Sequence, residues 1–135
     1  MLFTGSKKKV LVADDDEDFV NAMRSVLEFE GFNVDTAEDG KEALKQIKRH
    51  KYDLLILDVI MPKIDGIKLF RVVRKSKRHR EAPVLFISGH SRAESLAGQH
   101  QEIIDKADGY IEKPFKTRAL LGRVKTLIGN GGRGK

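Results

Sequence analysis

Asp53-Leu54-Leu55-Ile56-Leu57-Asp58-Val59-Ile60-Met61-Pro62 is the stretch that decides the fold. From Leu54 to Leu57 there is no polar residue. A strand with one wet face alternates apolar and polar side chains, so an unbroken apolar run reads as a strand covered on both faces, as in a parallel sheet flanked by helices. Pro62 turns the chain away soon after Asp58. A carboxylate at the C-terminal end of such a strand sits where open α/β sheets bind and transform ligands. Three more strand-like runs end the same way. Val10-Leu11-Val12-Ala13 leads into Asp14 and Asp15, Val84-Leu85-Phe86-Ile87 into Ser88, and Gly109-Tyr110-Ile111-Glu112 into Lys113. Four strands each deliver a polar group to one edge.

Outward from that centre, strand-like runs alternate with helical periodicity five times, the pattern of βα units around a parallel sheet. The first strand is expected over 9–13, followed by a helix with Phe19, Val20, Met23, Val26 and Leu27 on one face, stopped by Gly31. A short strand over 32–36 leads through Glu38-Asp39-Gly40 to a helix carrying Ala43, Leu44 and Ile47. The third strand falls at 53–57, and after Gly66 comes a helix with Ile67, Leu69, Phe70, Val72 and Val73. Pro83 opens the fourth strand. Ser91-Arg92-Ala93-Glu94 reads as a capping box for a fourth helix, whose interior Gly98 costs about 1 kcal/mol against Ala. A fifth strand over 109–112 and a last helix with Leu120, Leu121, Val124, Leu127 and Ile128 complete one domain over 8–128. Residues 1–7 are expected to be flexible, and 129–135 a flexible tail or linker stub. The fold class expected is three-layer α/β, and with the strands taken in the flavodoxin-like order 2-1-3-4-5 it is a (βα)5 fold with a five-stranded parallel sheet.

At 135 residues, 40% hydrophobic and 34% charged, the chain suits a single globular domain with a real core. The absence of cysteine excludes disulfides, thiol catalysis and thiolate metal sites. The N-terminal residues lack the apolar stretch of a signal peptide, and no apolar run approaches the ~20 residues of a membrane span. A cytoplasmic location without membrane contact is the expectation. The net charge of +6 raises the question of nucleic acid. Its cations cluster as Lys41, Lys45, Lys48, Arg49 and Lys51 on one helix and as Arg71, Arg74, Lys75, Lys77, Arg78 and Arg80 toward the end of another. Cations near helix C-termini are favoured by the helix dipole, and no aromatic residues interleave them to stack bases. No direct nucleic-acid binding is expected.

In the order 2-1-3-4-5, strands one and three are neighbours and the crevice of the topological switch lies between them. Asp14, Asp15 and Asp58 meet there. Three carboxylates a few ångströms apart repel unless a cation intervenes. Oxygen-only ligands suit a hard ion such as Mg²⁺, which uses one or two carboxylates and keeps room for phosphate oxygens. An ionised aspartate beside such an ion can act as a nucleophile and form an aspartyl-phosphate. Phosphoryl transfer needs positioned cations and donors more than proton shuttles. Lys113 supplies a mobile charge and Ser88 a hydroxyl.

Simpler roles compete for the same residues. Asp16 suits an N-cap, with Glu17 and Asp18 complementing the helix dipole. Tyr110 taken alone is a core aromatic, Ser88 a turn residue, and Lys113 a surface cation. His50, His79, His90 and His100 show no ligand spacing. Asp58-Val59-Ile60 lacks the second aspartate, two residues on, of haloacid dehalogenase-type phosphatases.

Taken together and in order, Asp14-Asp15, Asp58 with Met61-Pro62 and Asp65-Gly66, Ser88, and Lys113-Pro114-Phe115 resemble the receiver domain of two-component response regulators. The resemblance runs from about Lys8 to Ile128. It implies that Asp58 is the phosphoacceptor and that Asp15, Asp58 and the Ile60 backbone carbonyl ligate Mg²⁺, with Asp14 acting mostly through a water. It also implies that Lys113 and Ser88 assist the transfer, that Ser88 and Tyr110 form a switch pair, and that the Lys113–Pro114 peptide is cis. The implied partners are a sensor histidine kinase or phosphotransfer protein and a downstream effector, with the chain a monomer or a phosphorylation-dependent homodimer. Such a protein is a signalling switch, not an enzyme beyond self-catalysed phosphoryl transfer and autodephosphorylation. Two alternatives are a receiver-like interaction module indifferent to phosphorylation and the excised regulatory domain of a DNA-binding response regulator. Two departures stand out: a longer stretch between Ser88 and Lys113, and a bulky apolar Ile60 two residues after Asp58. The output is expected on the fourth helix, softened by Gly98, with the fifth strand and the last helix.

Overall fold

The computed structural model describes residues 7–89 and 105–129. Among them five parallel strands form one sheet in the order β2-β1-β3-β4-β5. These are β1 (Lys9–Ala13), β2 (Asn33–Ala37), β3 (Leu54–Asp58), β4 (Val84–Gly89) and β5 (Gly109–Lys113). Helices α1 (Glu17–Phe29), α2 (Gly40–Arg49), α3 (Gly66–Lys75) and the C-terminal α4 (Thr117–Ile128) accompany them. The expected fold class and strand order hold. The helix expected from the Ser91 capping box, including Gly98, lies outside the described residues.

Successive strand residues point to opposite faces, and the sheet therefore feeds two cores. Leu11, Ala13, Leu55, Leu57, Val84 and Phe86 pack with Ala43 and Ile47 of α2 and with Ile67, Phe70 and Val73 of α3. Val10, Val12, Leu54, Ile56, Leu85 and Ile87 pack with Met23 and Leu27 of α1 and with Leu120 and Val124 of α4. Because β3 lies between these layers and is buried throughout, its sequence has no polar alternation. Burial of both faces is the main force holding the three layers together.

Local signals set the helix starts. Asp16, Asp39 and Asp65 are N-caps whose side chains accept from the backbone N–H of Phe19, Glu42 and Lys68, answering donors that a helix start leaves open. The N–H of Glu42, followed by the Lys63 ammonium, holds the Asp39 carboxyl below its ordinary value against the opposing effect of burial. Gly31, at φ 98°, takes the chain out of α1. Three strands run further than their apolar runs predict. Parallel pairing continues through Asp58 with Ile87, Ser88 with Glu112 and Gly89 with Lys113. Asp58, Ser88 and Lys113 are rungs of the sheet, whereas Asp14 and Asp15 begin the loop after β1.

Two glycines allow the loop after β3 to close. A Cβ on Gly40 would lie 1.6 Å from the Ile64 carbonyl oxygen, and one on Gly66 2.1 Å from the Asp58 carbonyl oxygen. Those approaches coincide with hydrogen bonds from Gly40 N–H to Pro62 O at 3.3 Å and from Gly66 N–H to Val59 O at 2.9 Å. Lys63, in the left-handed region at φ 72°, turns the same loop.

The opposite end of the sheet is closed by a buried histidine. His79 is fully buried, its Nε2 accepts the Tyr52 N–H at 3.0 Å, and its ring stacks on Tyr52 with centroids 6.0 Å apart. Tyr52 in turn donates its hydroxyl to Asp35 Oδ2 at 2.6 Å. Burial, then the neighbouring Arg78 and Lys51 charges, push the His79 imidazole below its ordinary value, against a weaker effect of the His50 backbone. An acceptor Nε2 requires the neutral ring.

Gly66→Ala is expected to cost about 3 kcal/mol or more, because the clash is with backbone that cannot swing aside; urea unfolding at neutral pH measures it. His79 generates a pH dependence. Its folded value is depressed, so the unfolded chain binds the proton more readily, and the associated stability is present above about pH 6.5 and lost as pH falls below it. Urea midpoints at pH 8, 6.5 and 5 should decline with acid more steeply for wild type than for His79→Gln. Equal slopes would remove His79 as the cause.

Candidate functional site

The β1–β3 pairing, with Ala13 opposite Leu57, brings the residues that follow each strand's apolar run side by side. Carboxylate oxygens of Asp14, Asp15 and Asp58 lie within 4.8 Å of one another. Asp14 and Asp58 are fully buried and Asp15 is exposed. The backbone fixes both buried groups. Asp14 Oδ1 accepts from Asp16 N–H at 2.9 Å, and Asp58 Oδ1 accepts from Ile60 N–H at 3.1 Å. Each uses one oxygen to shape its own turn and turns the other toward the crevice.

Lys113 supplies the opposing charge. Its Nζ lies 2.6 Å from Asp14 Oδ2 and 4.0 Å from Asp58 Oδ2. With β3 and β4 lying between β1 and β5, only a long side chain can cross from the end of β5 to Asp14. The Lys113–Pro114 peptide is cis, as the resemblance implies. The ammonium also sits over the Phe19 ring, 4.1 Å from its centroid. The sequence placed Phe19 only on the core face of α1, so its contact with Lys113 is new information. The signal available was spacing: Phe19 lies in the first turn after the Asp14-Asp15 pair, and Phe115 two residues after Lys113.

Ser88 and Tyr110 occupy the other side of the strand plane. Tyr110 packs with the α2 and α3 core, and Ser88 has the parity of Phe86 on the same strand. Ser88 is fully buried, and its hydroxyl donates to Gly89 O at 3.2 Å. Tyr110 is paired in register with Phe86. Burial, then the charges of Glu112 and Asp58, raise its phenol above the ordinary value. Asp14, Asp15, Asp58 and Lys113 thus form one cluster, and Ser88 and Tyr110 flank it without belonging to it. His90 lies outside the described residues.

Among the described residues the donor set suits a hard cation: three carboxylates, no thiolate and no imidazole. No helix among the described residues is long and apolar enough to cross a membrane.

The profile of the response regulator receiver domain matches residues 10–125. The chain is 38% identical over 122 residues to the alkaline phosphatase synthesis transcriptional regulatory protein PhoP of Bacillus subtilis, covering 90% of this chain and 48% of that protein. It is 36% identical over 121 residues to the response regulator MprA of Mycobacterium leprae, covering 89% and 50%. The chain thus spans about half the length of these relatives. Among solved structures it is similar to the chemotaxis response regulator CheY4 of Vibrio cholerae, with a TM-score of 0.79, 28% identity, and coverage of 90% and 99%. It is also similar to the response regulator TrrA of Thermotoga maritima in complex with Mg²⁺–BeF, with a TM-score of 0.75, 35% identity, and coverage of 89% and 98%. A match over most of the chain, joined to the same sheet order and an acidic crevice at the switch point, places this chain in the response regulator receiver domain family, the signalling switches of two-component systems.

Proposed function

We propose that Asp58 accepts a phosphoryl group from a sensor histidine kinase or phosphotransfer protein, and that the domain, over 8–128, switches effector binding in response. The observation that carries this reading is the convergence of Asp14, Asp15, Asp58 and Lys113 in one crevice. Mg²⁺ held by Asp15, Asp58 and the Ile60 carbonyl, with Asp14 in its outer shell, would offset the repulsion between the carboxylates and an incoming phosphate. Asp14 keeps to an outer role because its inward oxygen is already taken by Lys113.

The chain's own residues handle the rest. The Ile60 N–H orients the Asp58 carboxylate, whose Oδ2 attacks phosphorus as the bond to the donor's nitrogen breaks and the departing imidazole takes up a proton. Transfer to an aspartate calls for positioned charge more than for a general base. Lys113, already 4.0 Å from Asp58 Oδ2, offers its three donors to the phosphoryl oxygens. Ser88, whose hydroxyl now rests on Gly89 O, is the neutral donor that can turn to the same group. Tyr110 stands beyond it on the same side of the sheet and responds to the space Ser88 leaves. A charge-assisted hydrogen bond gained at Ser88, about 1.5–3 kcal/mol, is sufficient to bias a two-state element. The similarity to transcriptional regulators over about half their length favours a DNA-binding region as the output that such a switch would govern.

Acetyl phosphate with Mg²⁺ should add one phosphoryl group, read as a mass increase. EDTA should abolish the addition, and Asp58→Asn should remove it from residue 58. Equal labelling of wild type and Asp58→Asn, mapped to no aspartate in the crevice, would refute the assignment. A second outcome concerns lifetime. Ile60 is half-buried beside Asp58, and an apolar side chain there cannot orient the water that hydrolyses the aspartyl-phosphate. Ile60→Asn should speed phosphate loss about tenfold, a barrier change of ~1.4 kcal/mol. Unchanged decay in a discontinuous assay would show that Ile60 is not the shield.

A further inference from the structure

We propose that Phe19 is the positioning residue for the Lys113 ammonium. The inference rests on the phosphoacceptor reading of the site and assigns the site a part that does not touch the phosphoryl group. The Phe19 ring faces Lys113 Nζ at 4.1 Å from its centroid, and Phe115 packs edge-on against the same ring at 5.9 Å and 87°. Phe115 lies two residues beyond Lys113, so the segment bearing the lysine meets Phe19 through both the ammonium and the Phe115 ring. On the other side the ammonium meets Asp14 Oδ2 at 2.6 Å and Asp58 Oδ2 at 4.0 Å. The charge is held between a ring face and two buried carboxylates.

The two sides differ in what competes with them. Any divalent cation in the crevice draws on the same carboxylate charge that holds Lys113, and so weakens the lysine's strongest contact. The attraction of a ring face for an ammonium is electrostatic, arising from the ring quadrupole, and a hard cation that prefers oxygen does not take it away. Lysine is a point charge on a flexible four-carbon stem that would otherwise swing out as the metal enters. Phe19 keeps it where the phosphoryl oxygens arrive. A plain packing role for Phe19, among the apolar groups against the α1 and α4 core, predicts instead that any side chain of similar volume serves as well.

The first measurement needs no chemistry at the site. The Lys113 ε-methylene protons of the wild-type protein should be shifted upfield by the ring current of Phe19 and should stay shifted at saturating Mg²⁺; Phe19→Leu should abolish the shift. Shifts that return to solvent values in wild type when Mg²⁺ is added would overturn the proposal, because the ring then fails to hold the lysine when it is needed. The second measurement is the rate of labelling by acetyl phosphate at saturating Mg²⁺. Phe19→Leu should slow it about fivefold, and Phe19→Tyr should retain most of the rate. In a Lys113→Ala background Phe19→Leu should add little further loss, as expected of two residues acting as one unit. Wild-type labelling rates in Phe19→Leu, with Asp58→Asn inactive, would overturn the role of Phe19 and leave Asp58 as the acceptor. A ring-current shift in a wild-type protein that takes no label would instead overturn the phosphoacceptor reading and, with it, the role given to Phe19.

Discussion

Two carboxylates, Asp14 and Asp58, are buried side by side at the ends of neighbouring strands, and the Lys113 ammonium reaches both. Burying an uncompensated charge is far costlier than burying a paired one. The rest of the architecture keeps this arrangement possible. β5 must end where the long Lys113 side chain can cross to the crevice, and α1 must bring Phe19 against the ammonium. Gly40 and Gly66 serve the same end from the other side, since the loop carrying Ile60 can lie against Asp58 only where no Cβ intervenes.

The sheet divides the labour between its faces. Asp14, Asp58 and Lys113 continue the alternation of Val12, Ile56 and Ile111, the side packed against α1 and α4. Ser88 and Tyr110 continue that of Phe86, the side packed against α2 and α3. The charged cluster and the Ser88–Tyr110 pair therefore sit on opposite sides of the sheet. Ser88 lies near the end of β4, next to the strand of Asp58. Its buried hydroxyl donates to the adjacent Gly89 carbonyl. Burial, then the Glu112 and Asp58 charges, raise the Tyr110 phenol above its ordinary value.

At the far end of the sheet the requirements are purely structural. His79, Tyr52, Asp35 and Lys9 link the segment after α3 to the starts of β1, β2 and β3. Lys9 N–H donates to Asp53 Oδ2 at 2.8 Å, so even the aspartate that opens the Asp53–Asp58 run has a partner, in the backbone and far from the crevice. Arg78 closes α2 by donating to the Lys48 carbonyl at 2.9 Å. Part of the basic cluster that the sequence displays is thus engaged in finishing helices, in keeping with the favourable place of cations at helix C-termini.

The sequence by itself determined the layers and the identity of the charged cluster; the order of the strands is set by pairing between distant segments. Unbroken apolar runs require burial on both faces, and polar residues at their ends have only one edge of a parallel sheet to occupy. It also marked Asp16 as a cap and Gly31 as a stop, because those signals act within a single turn. Strand ends were less legible, since Asp58, Ser88 and Lys113 are held in the ladder by partners on other strands and not by their own propensity. His79 and Tyr52, 27 residues apart, and Phe19 and Lys113 carry no local signature of their contacts. Which oxygen of Asp14 faces Lys113, which side of the sheet Ser88 shares with Tyr110, and which ring supports the ammonium were decided only by the tertiary structure. Periodicity fixes the face a residue takes, but contacts between distant elements depend on the packing of whole layers.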